Sequence, residues 1–519
     1  MPTEPLYDLL SEALIPVRYR DGVTREHTLP ELLSALQESG IESFPTLRPH
    51  QTHPWHAFLV QLAAMAIHRA RATTEPATPA EWTERLLLLS EGQREPWCLV
   101  VPDLSKPAFF QPPVPEGNLA KFNKWPGGTP FPDEIDMLVT AKNHDVKQRR
   151  IRRPAPAHWI FALTTLQTSD GFLGRGNYGI VRMNGGFSSR PSIGFTPSLH
   201  PDDRFRRDLQ VLLATRADAY TLFDYARNGG ITLLWLLPWD GAKSVPLTEC
   251  DPYVIEICRR VRLTMADNAI LGHGAPSQGT RIDAPGLNGR TGDPWNAIRR
   301  GEPASSLTVG GGGFTYRLVN DLLTASTYAP GAALRIHETD AADLWFTAAT
   351  LVRGQGKTEG FHERWLPVAG RVRRLLFTRE GRELIGKLAE ARIQEVSEVQ
   401  HRALKPAILA LLQGAPENLD MKDERAGRWL AHLDDEVDAV FFADLWDSIQ
   451  KEQDPDEALE DWARTVFELA EKILNEAIDS LPIPDSRKYR AISVAQRIFY
   501  GRRKARLGGG KEQTDATAV

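Results

Sequence analysis

The apolar positions of this 519-residue chain change their period near residue 375. Before that point they come in short runs separated by glycine, proline and other turn residues. The runs at Ile15 to Tyr19, Trp159 to Thr164, Ile231 to Leu236 and Leu344 to Val352 read as strands. Helical spacing is interspersed at His56 to Ala70, Arg204 to Ala214 and Phe314 to Thr324. From about Arg379 the pattern turns into long amphipathic segments with almost no strand signal. The first, Arg379 to Leu412, sets Leu384, Leu388, Ala391 and Glu395 along one stripe and is expected to bend near Pro406, which removes a backbone donor. Three more follow at Asp423 to Gln450, Pro455 to Ser480 and Ser486 to Arg506. The expected fold class is therefore α+β: a large irregular mixed domain over residues 1–374, then a C-terminal four-helix bundle over 375–507 and a disordered tail over 508–519.

Composition narrows the class of protein. A hydrophobic fraction of 42% with 25% charged residues is that of a globular chain with ample core, sized for two or three domains. The longest apolar runs, such as Ile231 to Leu237, fall far short of the roughly 18 to 20 residues a membrane helix needs. Met1 to Pro16 lacks the basic start and apolar stretch of a signal peptide. The expectation is a cytoplasmic protein without membrane partners. Its three cysteines, Cys98, Cys250 and Cys258, contain no Cys-x-x-Cys pair and read as buried free thiols. A net charge of −5 argues against a surface coated with nucleic acid but leaves room for local patches. Lys147 to Arg153 is one basic run, and Arg502-Arg503-Lys504 with Arg506 is another. Each reads either as a solvated face or as a nucleic-acid contact.

Catalytic signals are weak. His56, His158, His273, His362 and His401 occur singly, with no His-Glu-x-x-His or Gly-x-Ser-x-Gly pattern, so no catalytic residue, metal or cofactor is expected. Seven glycines crowd the 26 residues from Ser169 to Gly194. That density marks backbone that needs positive φ or close approach to a ligand, or else a glycine-rich hairpin with no ligand. The spacing Gly174-x-Gly176-x-x-Gly179 matches the dinucleotide and kinase glycine loops, but Asn184-Gly185-Gly186 breaks the chain where a Rossmann helix would run, and no kinase catalytic motif follows. Gly356-Lys357-Thr358 looks like the end of a P-loop, yet Leu351 stands where its first glycine belongs, and Gly360 and Pro367 oppose the helix it requires. Glu363 and Arg364 beyond it could form an ion pair at the loop's exit. A P-loop-like nucleotide-binding enzyme using Gly354 to Thr358 is the alternative reading of this loop. A scaffold that only binds other subunits is a third.

Taken in order, several stretches resemble the large subunit of the type I-E CRISPR surveillance complex Cascade, the CasA family. They are the opening "YDLLSEALIPVRYRDG", "KPAFFQPP" at Lys106 to Pro113, "LVTAKNHD" at Leu138 to Asp145, the glycine cluster, "GDPWNAIRR" at Gly292 to Arg300, the "GQGKTEGFHER" loop and the terminal helices. The match spans nearly the whole chain. It implies a non-enzymatic subunit of a ribonucleoprotein that reads a short motif in double-stranded target DNA from the minor groove, helps open the duplex for pairing with the guide RNA, and recruits a helicase–nuclease. It also implies neighbours: the guide RNA and the backbone, 5′-end-capping and small subunits. Carried over residue by residue, Gly171, Gly174, Gly176 and Asn177 would read the motif, and Arg281 would be the basic residue favoured by the groove's negative potential. Gln355, Gly356, Lys357 and Thr358 would form the wedge, with Gln355 inserted and Lys357 and Thr358 toward phosphate. Lys142, Asn143 and His144 match the loop that reaches the guide RNA and neighbouring subunits, which would turn the adjoining Lys147 to Arg153 run toward nucleic acid. The Gly-Lys-Thr sequence of the wedge departs from better-known members.

Overall fold

The computed structural model describes residues 3–71, 74–137, 149–284, 286–354, 357–483 and 485–508, with only the backbone of Lys357. It divides into two compact units, Met1–Phe314 with Thr327–Val368, and Thr315–Ser326 with Ala369–Val519. Both helix and sheet build the first unit and helices build the second, the α+β class the periodicity predicts.

The first unit is organised around the Thr52–Arg69 helix, buried on all sides from His53 to Ile67. A helix apolar all round must be enclosed by other elements. Here the Pro156–Ser169 and Pro201–Leu222 helices pack on it. Aromatic rings fill the space beside it: Trp55 stacks on Phe58 at 5.4 Å, and Phe58 meets Phe110, which meets Trp235 at 4.6 Å. The "KPAFFQPP" stretch is therefore core. Its Gln111 donates to the Leu99 carbonyl at 2.8 Å and accepts from the Leu263 N–H at 2.6 Å.

Ile15–Tyr19 and Leu344–Gly354 form strands as expected. The Ile231–Leu233 strand gives way to a 3₁₀ turn over Leu234–Leu236. Trp159 to Thr164 does not form a strand. It lies inside the Pro156–Ser169 helix, where Thr164, Thr165 and Thr168 each donate to the carbonyl four residues back. A short continuous apolar run has no period of its own, so burial on every face of a helix gives the same pattern as a buried strand. The sheet nearest the candidate site is antiparallel and three-stranded, with Leu344–Gly354 between Lys357–Val368 and Ser192–Thr196.

In the second unit the Arg379–Glu398 helix passes through a π-helical turn at Val399–Leu404 into the Lys405–Gln413 helix. The widened turn directly precedes Pro406, whose missing donor and bulky ring disturb ordinary helical bonding. The buried stripe is Ile385, Ala389, Arg392 and Val396, one step out of phase with the one read from sequence; of the residues expected there Glu395 is buried and Leu384 is exposed. Arg392 explains the slip. It is buried, donating to the Asp444 carboxylate at 3.0 Å and the Ser448 hydroxyl at 2.9 Å, where a sequence reading takes arginine for surface. Helices Gly427–Gln450, Pro455–Ser480 and Asp485–Leu507 complete the unit, with a short Gly370–Phe377 helix at its start. Residues 509–519, most of the tail expected at 508–519, lie outside the described residues.

Candidate nucleic-acid interface

The Pro156–Ser169 helix ends by delivering Asp170 to the root of the glycine cluster. Two strand-like crossings close that root: Gly171 N–H donates to the Ser188 carbonyl at 3.1 Å, and Arg190 N–H to the Ser169 carbonyl at 3.0 Å. A Cβ on Gly171 would lie 2.2 Å from the Ser188 oxygen, so only glycine fits there. Further out, Asn177 N–H donates to the Gly174 carbonyl at 3.0 Å, closing a tight turn with positive φ at Gly174 and Gly176. Arg175 stands exposed at the turn's corner. The base is anchored on its far side, where the buried Arg190 pairs with Asp293 of the "GDPWNAIRR" stretch at 2.5 Å.

The stretch Arg353 to Trp365, read as a loop from sequence, is the end of a hairpin. Its strands pair as far as Arg353 with Thr358 and Gly354 with Lys357, with a bulge next to Val352. Gly356-Lys357-Thr358 therefore leads into a strand, and the helix N-terminus that a phosphate-binding loop uses does not follow it. Gln355 and Gly356 lie outside the described residues, and Thr358 is fully buried. Glu363 and Arg364, neighbours on a strand, point to opposite faces. Arg364 donates to the Phe314 carbonyl at 3.0 Å, while burial raises the Glu363 carboxyl above its ordinary range.

The root of the glycine cluster meets the hairpin near its turn, at Leu351 and Arg353. Ser189 donates to the Leu351 carbonyl at 2.5 Å, and Asp170 is shared by the Arg259 and Arg353 guanidiniums. This junction joins residues far apart in sequence, and no local pattern announces it. Arg175 was the more accessible signal: an arginine between two glycines is placed at a turn corner.

Arg281 is not on the surface. It is 4% exposed, with its guanidinium donating to the carbonyls of Lys243, Leu237 and Pro238 at 3.1 to 3.3 Å and lying 5.5 Å from the Trp239 ring centre. Burial lowers its pKa to about 10. It braces the segment whose Ser277 N–H donates to the Gly176 carbonyl at 3.0 Å. Lys142, Asn143 and His144, with Lys147, lie outside the described residues. Of the adjoining run, Arg149 pairs with Glu134 at 2.5 Å, and Arg150, Arg152 and Arg153 are exposed. In the C-terminal run Arg503 and Arg506 are engaged by Glu471 and Glu395.

All three cysteines are buried with no disulfide, and burial raises the thiol pKa values to about 12, 12 and 11 for Cys98, Cys250 and Cys258. Among the described residues no cluster of three or more His, Cys, Asp or Glu could hold a metal ion. Nor is any helix among them long and apolar enough to cross a membrane.

No protein-family model matches the sequence, and no curated protein matches it. Solved structures do. Thermobifida fusca Cse1 is similar with a TM-score of 0.63 at 16% identity, over 97% of this chain and 98% of that one. CasA of Thermus thermophilus gives 0.59 at 16% identity over 97% and 99%, and Cse1 of Acidimicrobium ferrooxidans 0.57 at 16% over 98% and 99%. The chain thus has a fold it shares, end to end, with a class of CRISPR-associated proteins. That fold is the CasA/Cse1 fold, the one the sequence motifs resemble.

Proposed function

We propose that this chain is the non-catalytic large subunit of a Cascade-type CRISPR RNA-guided surveillance complex and that it reads a short motif in duplex DNA. One observation carries the site: the root of the glycine cluster holds the long hairpin near its turn, through Asp170 and Ser189. Minor-groove edges are shallow, so a reader gains by bringing bare backbone close, and the Gly174 to Asn177 turn offers it. Gly171 shapes the root, while Gly174, Gly176 and Asn177 face the groove. Arg175 supplies the exposed guanidinium that a narrow, negative groove attracts, and Arg281 acts from beneath by bracing the neighbouring segment. Gln355, Gly356 and Lys357 supply the wedge between base steps, with Gln355 inserted, and Thr358, buried and paired with Arg353, holds the strand behind them instead of facing phosphate. Lys142, Asn143 and His144 contact the guide RNA or adjoining subunits, the exposed arginines from Arg150 to Arg153 lie along nucleic acid, and the protein recruits the helicase–nuclease. The cytoplasm is where such a complex would act.

Gly174→Ala tests the reading. A Cβ at Gly174 meets no atom of the described residues within 4 Å, so its internal cost among them is that of positive φ, about 1 to 2 kcal/mol. In the reconstituted complex this substitution is expected to weaken binding to motif-bearing duplex at least tenfold, because the new methyl occupies the space a groove edge needs. Unchanged affinity, measured by gel shift against wild type, would refute the turn as a reader.

A further inference from the structure

A cavity of about 240 Å³ lies under the glycine turn, lined by Lys124, Trp125, Glu134, Asp136, Asn177 and Arg353 among others. Three carboxylates, Glu134, Asp136 and Asp170, and three cations, Lys124, Arg259 and Arg353, line it, but they are not matched one to one. Asp136 is occupied by His50 at 2.8 Å, Gln51 at 2.9 Å and the Met137 N–H, and Glu134 by Arg149 and Thr129. Asp170 alone remains for two guanidiniums. Arg259 is committed to the carbonyls of Tyr178, Gly171 and Cys258 as well as to Asp170. Arg353 is not: its side chain is 1% exposed, Nη1 lies against Asp170, and Nε and Nη2 have no acceptor among the described residues. Lys124 adds a further cation, its ammonium 4.6 Å from the Trp125 ring centre. Desolvation, then the charges of Arg259 and Arg353, lower its pKa to about 8. A buried guanidinium with idle donors is costly unless something supplies oxygens.

We propose that this cavity is a seat for one phosphate group, held by Arg353 from below and Lys124 from the rim, and that the group belongs to the DNA strand beside the motif. The proposal rests on the duplex-reading function above. Its geometry suits that function, because Asn177 borders both the turn and the cavity, and the seat lies where the glycine cluster meets the hairpin near its turn. A backbone phosphate fixed there would set the register of the duplex against both.

The test uses the assembled complex with Lys124→Gln, Arg353→Gln and Arg353→Lys, and reads duplex affinity against salt. Each neutral variant is expected to lower the slope of log affinity against log salt by about one, and Arg353→Lys to keep the slope. A single methylphosphonate in the strand beside the motif should reproduce the loss in wild type and add nothing in the neutral variants. Lys124 is at the cavity's rim, so its variant keeps the test valid if Arg353→Gln fails to fold. Unchanged slopes in Lys124→Gln, with no effect of any methylphosphonate, overturn the seat. Calorimetric titration with inorganic phosphate separates the sources: Lys124-dependent binding without any change in duplex slope overturns the strand as donor and assigns the seat to a free phosphate. A wild-type complex that binds no duplex at all overturns the underlying function, and the phosphate titration then decides the seat by itself.

Discussion

At the scale of single residues, the first unit places charge where a sequence reading expects surface. Arg281 was legible as a basic residue downstream of the glycine cluster, but its burial was not, because arginines are seldom buried unless paired and its partners are carbonyls some 40 residues upstream. The same holds for Arg182 on Glu256 and Arg190 on Asp293. Histidines behave in the opposite way. His56 sits beneath Trp295 with Nε2 2.8 Å from Asp208, and desolvation, then Arg204, lowers its pKa from 6.5 to about 4, against the pull of Asp208. His53, buried beside the same tryptophan, is likewise lowered well below its ordinary value by desolvation. A group whose folded pKa is depressed contributes stability above its unfolded pKa and loses it as pH falls. Below pH 6.5 the unfolded chain takes up protons that folded His56 refuses until about pH 4, so stability should fall across that window by up to about 3 kcal/mol from this residue. Asp208, held down at about 2, contributes only at lower pH. Denaturant titrations at pH 7.0, 5.5 and 4.5 should show the fall, and His56→Gln should remove about one proton from the slope; a slope the variant leaves unaltered would contradict the assignment.

At the scale of elements, glycine density correctly marked the segment that needs bare backbone but could not say which glycine serves which purpose. The structure separates them by what a methyl would meet. Gly171→Ala drives a Cβ to 2.2 Å from a backbone oxygen that has no freedom to yield, because Ser188 is held in the crossing that closes the root. That substitution should cost roughly 2 to 3 kcal/mol or more, in the range of overpacking, and lower the thermal midpoint of the first unit. Gly174→Ala should cost about half as much in stability while carrying the larger loss of duplex binding. Equal midpoints for the two variants would mean that the root yields to a methyl more readily than its contacts imply. The hairpin shows a different limit of sequence. Strand Leu344–Gly354 was legible from its apolar run, whereas Lys357–Val368 was not, because Gly360 and Pro367 are strand breakers in most settings. Both are tolerated here: Gly360 lies beside the bulge and Pro367 near the end of an outer strand.

At the scale of the whole molecule, chain order and domain order diverge. The amphipathic segment ending at Thr324 was visible as a helix, and its place in the chain suggested the mixed domain, yet Tyr316–Thr324 packs inside the second compact unit. Tyr316 meets Phe441 at 4.8 Å, its hydroxyl donates to Asp434 at 2.9 Å, and its backbone N–H donates to Asp438. Val319, Leu322 and Leu323 are buried on the same face. Periodicity reports which face of a helix is buried but not against what, so a nine-residue helix that leaves one unit for another has no signature. A fragment spanning residues 369–508 would lack this helix and expose the apolar surface beneath it. At about 1.5 to 3 kcal/mol for each large buried side chain, the loss exceeds much of a typical domain's net stability. Such a fragment is expected to bind a hydrophobic dye and to unfold without a sharp transition, and a peptide covering residues 313–326 added in trans should restore cooperativity with a concentration-dependent midpoint. A fragment that melts sharply without the peptide would show that the four long helices close their own core, and that the inserted helix is an accessory to the bundle rather than one of its walls.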